Sequence, residues 1–309
     1  MKSQTVSNGG FSWHYWPNKQ ATDRTVIVAL GGATDTGVIT KAAIRYVHAV
    51  GCNAATFIPA MEGRPYDGWH DFPLERIQDM ARWLLQNGST GMGIAGASTT
   101  ALVALAAASY IPELTLVLAF ATEDYNTEGF YMDNTVNIGM RPAPGCSMFT
   151  WHGKQVPYCP TGLTAERMGQ LLRMGKGEKN FVDALDLCKF YESLPGFEET
   201  LLPVERSHAH ICAFGSDTDT GCDSGAMARR LEKRLRDADY PYGIDIHVFP
   251  KCSHYQFPQG MVKKLLPAGA QLVFGKMWEI EKQYPKECRG AREEIDRVCR
   301  AAIDSWNLY

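Results

Sequence analysis

The chain has 309 residues, and its 31 lysines and arginines against 34 aspartates and glutamates leave a formal net charge of −3, which excludes the strongly basic balance of a nucleic-acid binder. At 45% hydrophobic, 11% aromatic and 21% charged residues it can bury a sizeable core, so disordered and fibrous classes fall away. The longest purely apolar run, 101–108, is far short of the roughly 20 residues that cross a bilayer, and Asn8, Gly9, Gly10, Pro17, Asn18 and Lys19 interrupt any apolar core of a secretory signal, so a cytoplasmic protein without a membrane span is expected.

Along the chain, 25–30 is a continuous β-branched run of the kind buried on both faces of a parallel sheet, followed by a Gly31-Gly32 turn. Residues 37–50 place Val38, Ala42, Ile44, Val47 and Val50 at helical spacing, with Gly51 as a stop. A short strand is expected at 54–59. A helix beginning near Pro73 then carries Leu74, Ile77, Met80, Ala81 and Leu84 and ends near Asn87-Gly88. Next come a strand at 91–96, an apolar helix at 99–108 and a strand at 114–121. This alternation implies βαβ units and a mostly parallel sheet. It breaks at residue 122. The stretch from about 123 to 205 holds Pro142, Pro144, Gly145, Pro157, Pro160 and Gly162, then a polar helical segment at 183–191. It is too long for a structureless loop, so an inserted cap is expected within a single domain spanning 1–309. Strand, helix and strand resume at 210–214, 224–238 and 243–249, and helices at about 270–284 and 289–306 close the chain.

Nine cysteines lie scattered without a C-x-x-C pair, which reads as reduced thiols rather than a disulfide framework or zinc knuckle. The most informative stretch is Gly96-Ala97-Ser98-Thr99-Thr100, where a strand turns directly into a helix. Ser98 there is either a nucleophile at an elbow or a plain helix N-cap; Thr100 occupies the last glycine position of G-x-S-x-G. Chain order favours the nucleophile. Asp217 and Asp219 follow a later strand and His254 follows the last one, the order in which this kind of site presents its acid and base. A serine hydroxyl needs a neutral imidazole to take its proton, and a buried carboxylate to fix that imidazole's tautomer. The oxyanion donors are then the N–H groups of Thr99 and Ala33.

With these residues in place the sequence resembles the α/β-hydrolase fold, and more narrowly the catalytic domain of acyl-CoA thioesterases and bile acid-CoA:amino acid N-acyltransferases. The resemblance rests on VIVALGGATDTG, FPLERIQDMARWLL, GIAGASTTALVALAAA, SMFTWHGKQVPY, GSDTDTGCDSGAMARRLEKRL and FPKCSHYQFP. It implies a mostly parallel central sheet with helices on both faces and an inserted cap, with Ser98 as nucleophile and His254 as base. In that family the acid lies three residues before a tryptophan in a W-P-S-like stretch. Cys222-Asp223-Ser224 occupies that stretch here, which selects Asp219 with Asp217 as the fallback. A serine nucleophile resembles the thioesterase branch. The family's N-terminal immunoglobulin-like domain has no counterpart before 25, and Asn307-Leu308-Tyr309 is not a peroxisomal signal.

The implied activity is cleavage of an acyl thioester or ester through an acyl-enzyme, without cofactor or metal, on a small-molecule substrate. The alternatives are a carboxylesterase or peptidase-like hydrolase of small substrates, or a non-catalytic binding protein of the same fold. Four further features read as structural. His208 and His210 have metal-ligand spacing but no third ligand nearby in sequence, Trp151 and His152 suit either packing or an acyl pocket, Arg229, Arg230, Lys233, Arg234 and Arg236 form a solvated helix face, and Cys222 and Cys252 read as packing thiols.

Overall fold

The computed structural model describes residues 2–20, 22–31, 37–60, 66–133, 139–175 and 179–306. Its centre is an eight-stranded sheet of β1 (Gln4–Asn8), β2 (Phe11–Trp16), β3 (Arg24–Ala29), β4 (Asn53–Phe57), β5 (Gly91–Ala97), β6 (Leu116–Phe120), β7 (His210–Ser216) and β8 (Ile244–Phe249), in spatial order β1-β2-β4-β3-β5-β6-β7-β8. β1 and β2 pair antiparallel, as do β2 and β4; every later pairing is parallel. The helices are α1 (Val38–Ala49), α2 (Glu75–Gln86), α3 (Thr99–Tyr110), α4 (Ala165–Leu171), α5 (Leu185–Glu192), α6 (Ser224–Asp237), α7 (Gln259–Leu265), α8 (Ala270–Met277), α9 (Glu279–Gln283) and α10 (Pro285–Asp304).

Strand alternation divides the core into two layers. Ile27 and Ile94 face a cluster with α2, α3 and α6 (Ile77, Leu102, Leu231), whereas Val26 and Val28 face α1, α7 and α10 (Ile44, Met261, Ile295). Apolar residues on successive positions of a strand therefore all find cover, which is why the parallel strands read as unbroken hydrophobic runs. α3 is apolar all round because it is buried all round: every residue from Thr100 to Ser109 is buried.

The structure corrects the sequence expectations in several places. The β1–β2 hairpin was not anticipated, because its alternation Phe11, Trp13 inward and Ser12, His14 outward is only a few residues long. Val38, expected on the buried face of α1, is 73% exposed. α7 is an additional helix, and the single helix expected at 270–284 breaks at Trp278, whose extended backbone (φ −137°, ψ 122°) lets its indole bury beside His254 and Tyr255.

Between β6 and β7 the chain leaves the sheet. Strands at Glu128–Met132 and Met140–Ser147 pair with each other, and the first also pairs with Gly68–Trp69. Phe149–Trp151 pairs with Lys154–Gln155 and, in parallel, with Phe72–Pro73. α4 and α5 bury Met168 and Leu187 in a small apolar cluster of their own. The segment before α2 thus joins this insertion, which spacing along the chain did not indicate.

Candidate active site

Ser98 stands at the carboxyl end of β5, the sheet edge onto which the loops after β6, β7 and β8 also open. Its backbone is held at φ 55°, ψ −130°, a conformation that costs a non-glycine residue on the order of 1–3 kcal/mol and that aims the side chain away from the sheet. The turn is tight enough that a Cβ on Gly96 would lie 1.9 Å from the Thr100 carbonyl oxygen. Thr100 does what a capping residue does, since its hydroxyl accepts from the Ala97 N–H at 2.8 Å and donates to the Ala97 carbonyl at 2.9 Å. Ser98 occupies the N-cap position but makes no cap hydrogen bond. Its hydroxyl donates to Glu123 Oε1 at 3.3 Å instead.

Asp219, 3% exposed in the loop after β7, accepts His254 Nδ1 at 2.9 Å on Oδ1 and 3.1 Å on Oδ2. Its remaining capacity is filled by the Gly221 N–H at 2.8 Å, the Ser224 hydroxyl at 2.7 Å and the Gln256 amide at 3.0 Å, so the carboxylate is fixed in place. A carboxylate can only accept, hence Nδ1 carries the proton and Nε2 is the free base. Burial alone would pull His254 down, but the charge and hydrogen bond of Asp219, followed by the charge of Glu123, outweigh it and raise the imidazole above its ordinary range. Asp217 goes elsewhere: it forms an exposed pair with Arg229 at 2.7 Å.

Ser98, Thr99, Glu123 and His254 line one cavity of about 250 Å³, whose apolar wall includes Phe130, Met140, Met148, Met168, Leu187 and Tyr191. Among the described residues no hydrogen bond joins Ser98 to His254; they meet across this space. Ser98, Thr99 and Thr100 also border a second, apolar cavity of about 310 Å³ under β3, α1 and α7. Ala33, the expected second oxyanion donor, lies outside the described residues. Thr99 begins α3, so its N–H is one of the unpaired donors at a helix start.

Glu123 was not singled out from the sequence. The available signal was its position just past the end of β6, at the same sheet edge as the other site residues. It is half-buried in the cavity wall, where desolvation pushes its carboxyl up to about 7 even though His254 and the Ser98 hydroxyl favour the anion.

The other singled-out residues are engaged. Arg230 holds the buried Asp124 by two bonds of 2.7 and 2.8 Å and also reaches Glu192 at 2.9 Å. Arg229 pairs with Asp217, Lys233 with Asp237, Arg234 with Glu205 and Arg236 with Glu232. Trp151 packs on Tyr110 and His152, and His152 donates its backbone N–H to Glu75, which fastens the insertion to α2 and α3. Cys222 and Cys252 are buried, and burial raises both thiols well above their ordinary range, which suits packing rather than reactivity. His208 stacks on Tyr242. His210 does find neighbours that sequence spacing did not offer: Asp245 at 2.8 Å across the parallel β7–β8 pair and Cys212 at 3.8 Å.

No protein-family model matches the chain, and no curated protein matches it in sequence. Solved structures do match in fold. A carboxylesterase from Lactobacillus plantarum superimposes with a TM-score of 0.53 at 10% identity, covering 100% of this chain and 99% of that one. A puromycin-hydrolyzing peptidase from Mycobacterium tuberculosis gives 0.51 at 14% identity, covering 89% of this chain but 39% of that one. An esterase from Pyrococcus furiosus gives 0.50 at 15% identity over 92% and 90% of the two chains. The expected architecture, an α/β-hydrolase fold with a mostly parallel sheet covered by helices on both faces, is the one this chain adopts.

Proposed function

We propose that the protein is a serine hydrolase of carboxylic esters, acting through Ser98, His254 and Asp219 on a substrate held in the cavity at the sheet edge. The observation that carries this reading is a serine in a strained strand-to-helix turn, facing the same cavity as an imidazole whose far nitrogen is bound to a buried carboxylate. Ser98 Oγ attacks the ester carbonyl carbon while its proton passes to His254 Nε2. The imidazolium formed is stabilised by Asp219. The tetrahedral intermediate collapses, the alkoxide leaves with that proton, and a serine ester remains; water then attacks with His254 again as base and releases the acid. The oxyanion is received by the Thr99 N–H and, in this proposal, by that of Ala33.

Within the single domain, residues 123–205 act as the cap that closes the pocket, supplying Glu123, Met148, Met168 and Leu187 to its wall. In the substrate-bound state the Ser98 hydroxyl turns from Glu123 to His254, a tightening that free enzymes commonly complete only when substrate enters. Thioester cleavage is the narrower form of the same proposal and uses the same three residues. That a carboxylesterase shares the fold accords with the ester reading.

The test is a fluorophosphonate probe followed by peptide mass spectrometry, run beside turnover of short-chain esters and short acyl-CoA thioesters. Covalent labelling of Ser98 and a loss of about six orders of magnitude in kcat for Ser98→Ala are expected if the three residues act as a unit. Folded protein that stays unlabelled at Ser98, or a loss below tenfold, overturns the assignment and leaves the non-catalytic alternative.

A further inference from the structure

Glu123 presents an electrostatic problem for the reaction just described. Its Oε1 is 3.3 Å from the oxygen that attacks, and the reaction develops a full negative charge a few ångströms further on. An ionised carboxylate about 5 Å from that charge would slow the step by roughly a few hundredfold at an effective dielectric near 20. Where Glu123 is ionised, above about pH 7, fast turnover therefore needs a cation to offset it.

The groups around it do not supply a cation. Those that face it are Asp219 from the loop after β7, Asp124 beside it, the phenols of Tyr125 and Tyr191 and the thiols of Cys188 and Cys222. Asp124 is already held by Arg230. No lysine or arginine is among the described residues lining the cavity, so His254 is its one basic group. A protonated His254 would balance Glu123, but it could no longer accept the Ser98 proton. The same cavity offers Tyr125, Tyr191 and Phe130 as aromatic wall and several methionines, surfaces that suit an alkylammonium group and leave its charge to the carboxylate.

Resting on the hydrolase reading, we propose that Glu123 is the binding site for a positively charged group of the substrate, and that the enzyme selects esters carrying an ammonium close to the scissile carbonyl. Reach defines the class. With the carbonyl carbon about 3 Å from Ser98 Oγ and an ammonium in contact with Glu123, the nitrogen lies within a few bonds of the carbonyl, as in α- and β-amino acyl esters or esters of β-amino alcohols. The bound cation offsets the carboxylate and leaves His254 neutral to act as base. Glu123 is then a specificity residue that touches substrate.

Two isosteric pairs test this with wild type and Glu123→Gln: acetylcholine against 3,3-dimethylbutyl acetate for a cation on the alcohol side, and glycine ethyl ester against ethyl propionate for one on the acyl side. Comparing the cationic-to-neutral ratio of kcat/KM between the two proteins cancels the intrinsic reactivity of each ester. The expected result is a crossover in at least one pair, in which Glu123→Gln hydrolyses the neutral ester faster than wild type and the cationic ester more slowly, so that the ratio falls by thirtyfold or more. Ratios within threefold of wild type in both pairs, or an equal loss on cationic and neutral esters, overturn the proposal while Ser98 labelling by the fluorophosphonate still upholds the hydrolase. If no ester is turned over by folded protein, the hydrolase reading fails separately, and calorimetric titration with choline and 3,3-dimethylbutanol decides the site. Saturable choline binding that is lost in Glu123→Gln supports it, and heat that is absent up to tens of millimolar, or unchanged by the substitution, overturns it.

Discussion

Replacing Glu123 by glutamine should stabilise the protein, and by more at alkaline than at acidic pH. The substitution keeps the side chain's size and leaves a carbonyl oxygen to accept the Ser98 hydroxyl, so packing changes little while the ionisable group is removed. In the folded chain burial raises this carboxyl from 4.5 to about 7. Below 4.5 it is protonated in both folded and unfolded chains and contributes no difference. Between 4.5 and about 7 the unfolded chain has released the proton and the folded one retains it, so stability falls as pH rises, and the whole penalty is present above about 7. That displacement corresponds to roughly 3 kcal/mol at most, and water reaching the carboxyl through the cavity reduces it, so the effect is placed at about 1–3 kcal/mol. Urea unfolding of wild type and Glu123→Gln at pH 5 and pH 8 reads it directly, because taking the difference between the two proteins cancels every other titrating group that is independent of Glu123. The advantage of the glutamine variant should grow from pH 5 to pH 8. A difference that is flat with pH, or that favours wild type at pH 8, would show that this carboxylate is not held at an energetic cost beside Ser98.

Asp219→Asn should lower kcat by about four orders of magnitude, because the asparagine amide cannot hold the productive His254 tautomer. In wild type acting on a cationic ester, kcat/KM should rise with pH as His254 loses its proton, with a midpoint above the ordinary histidine value, and loss of the Asp219 anion should move that limb to lower pH; a midpoint unmoved by Asp219→Asn would separate the aspartate from the base. Gly221→Ala places a Cβ that ideal geometry puts 2.4 Å from His254 Nδ1, so the imidazole must shift; turnover should fall by roughly a hundredfold or more while circular dichroism is unchanged, and full activity in this variant would contradict the placement of the ring. Arg230→Ala strips the fully buried Asp124 of its partner and should cost about 3–5 kcal/mol in urea unfolding, whereas Arg229→Ala, whose pair with Asp217 is exposed, should cost under about 1 kcal/mol; equal costs would refute the distinction.

Much of the central sheet was legible because its signals are local. The runs around Ile27, Ile94 and Val117 are hydrophobic on consecutive positions, and helices α1, α2 and α6 carry their apolar residues at helical spacing, so each segment announces its own partner surface without reference to the rest of the chain. Ser98, Asp219 and His254 could be named as candidates for a related reason: each follows the carboxyl end of a strand, and parallel strands deliver all such ends to one edge. Segments whose pairing partner is remote carry no such local signal. The hairpin β1–β2 is too short to show its period, and the strands at Gly68–Trp69 and Phe72–Pro73 exist only because the insertion between β6 and β7 pairs with them.

The sequence by itself determined the α/β alternation and named the serine, histidine and aspartate candidates, since strand and helix periods and chain order are properties of neighbouring residues. Which aspartate meets His254, where Ser98 directs its hydroxyl and why a carboxyl such as Glu123 is held near neutrality were decided only by the tertiary structure. Those outcomes depend on burial and on distances across the sheet edge, where charges and hydrogen bonds act through space between residues far apart in the chain.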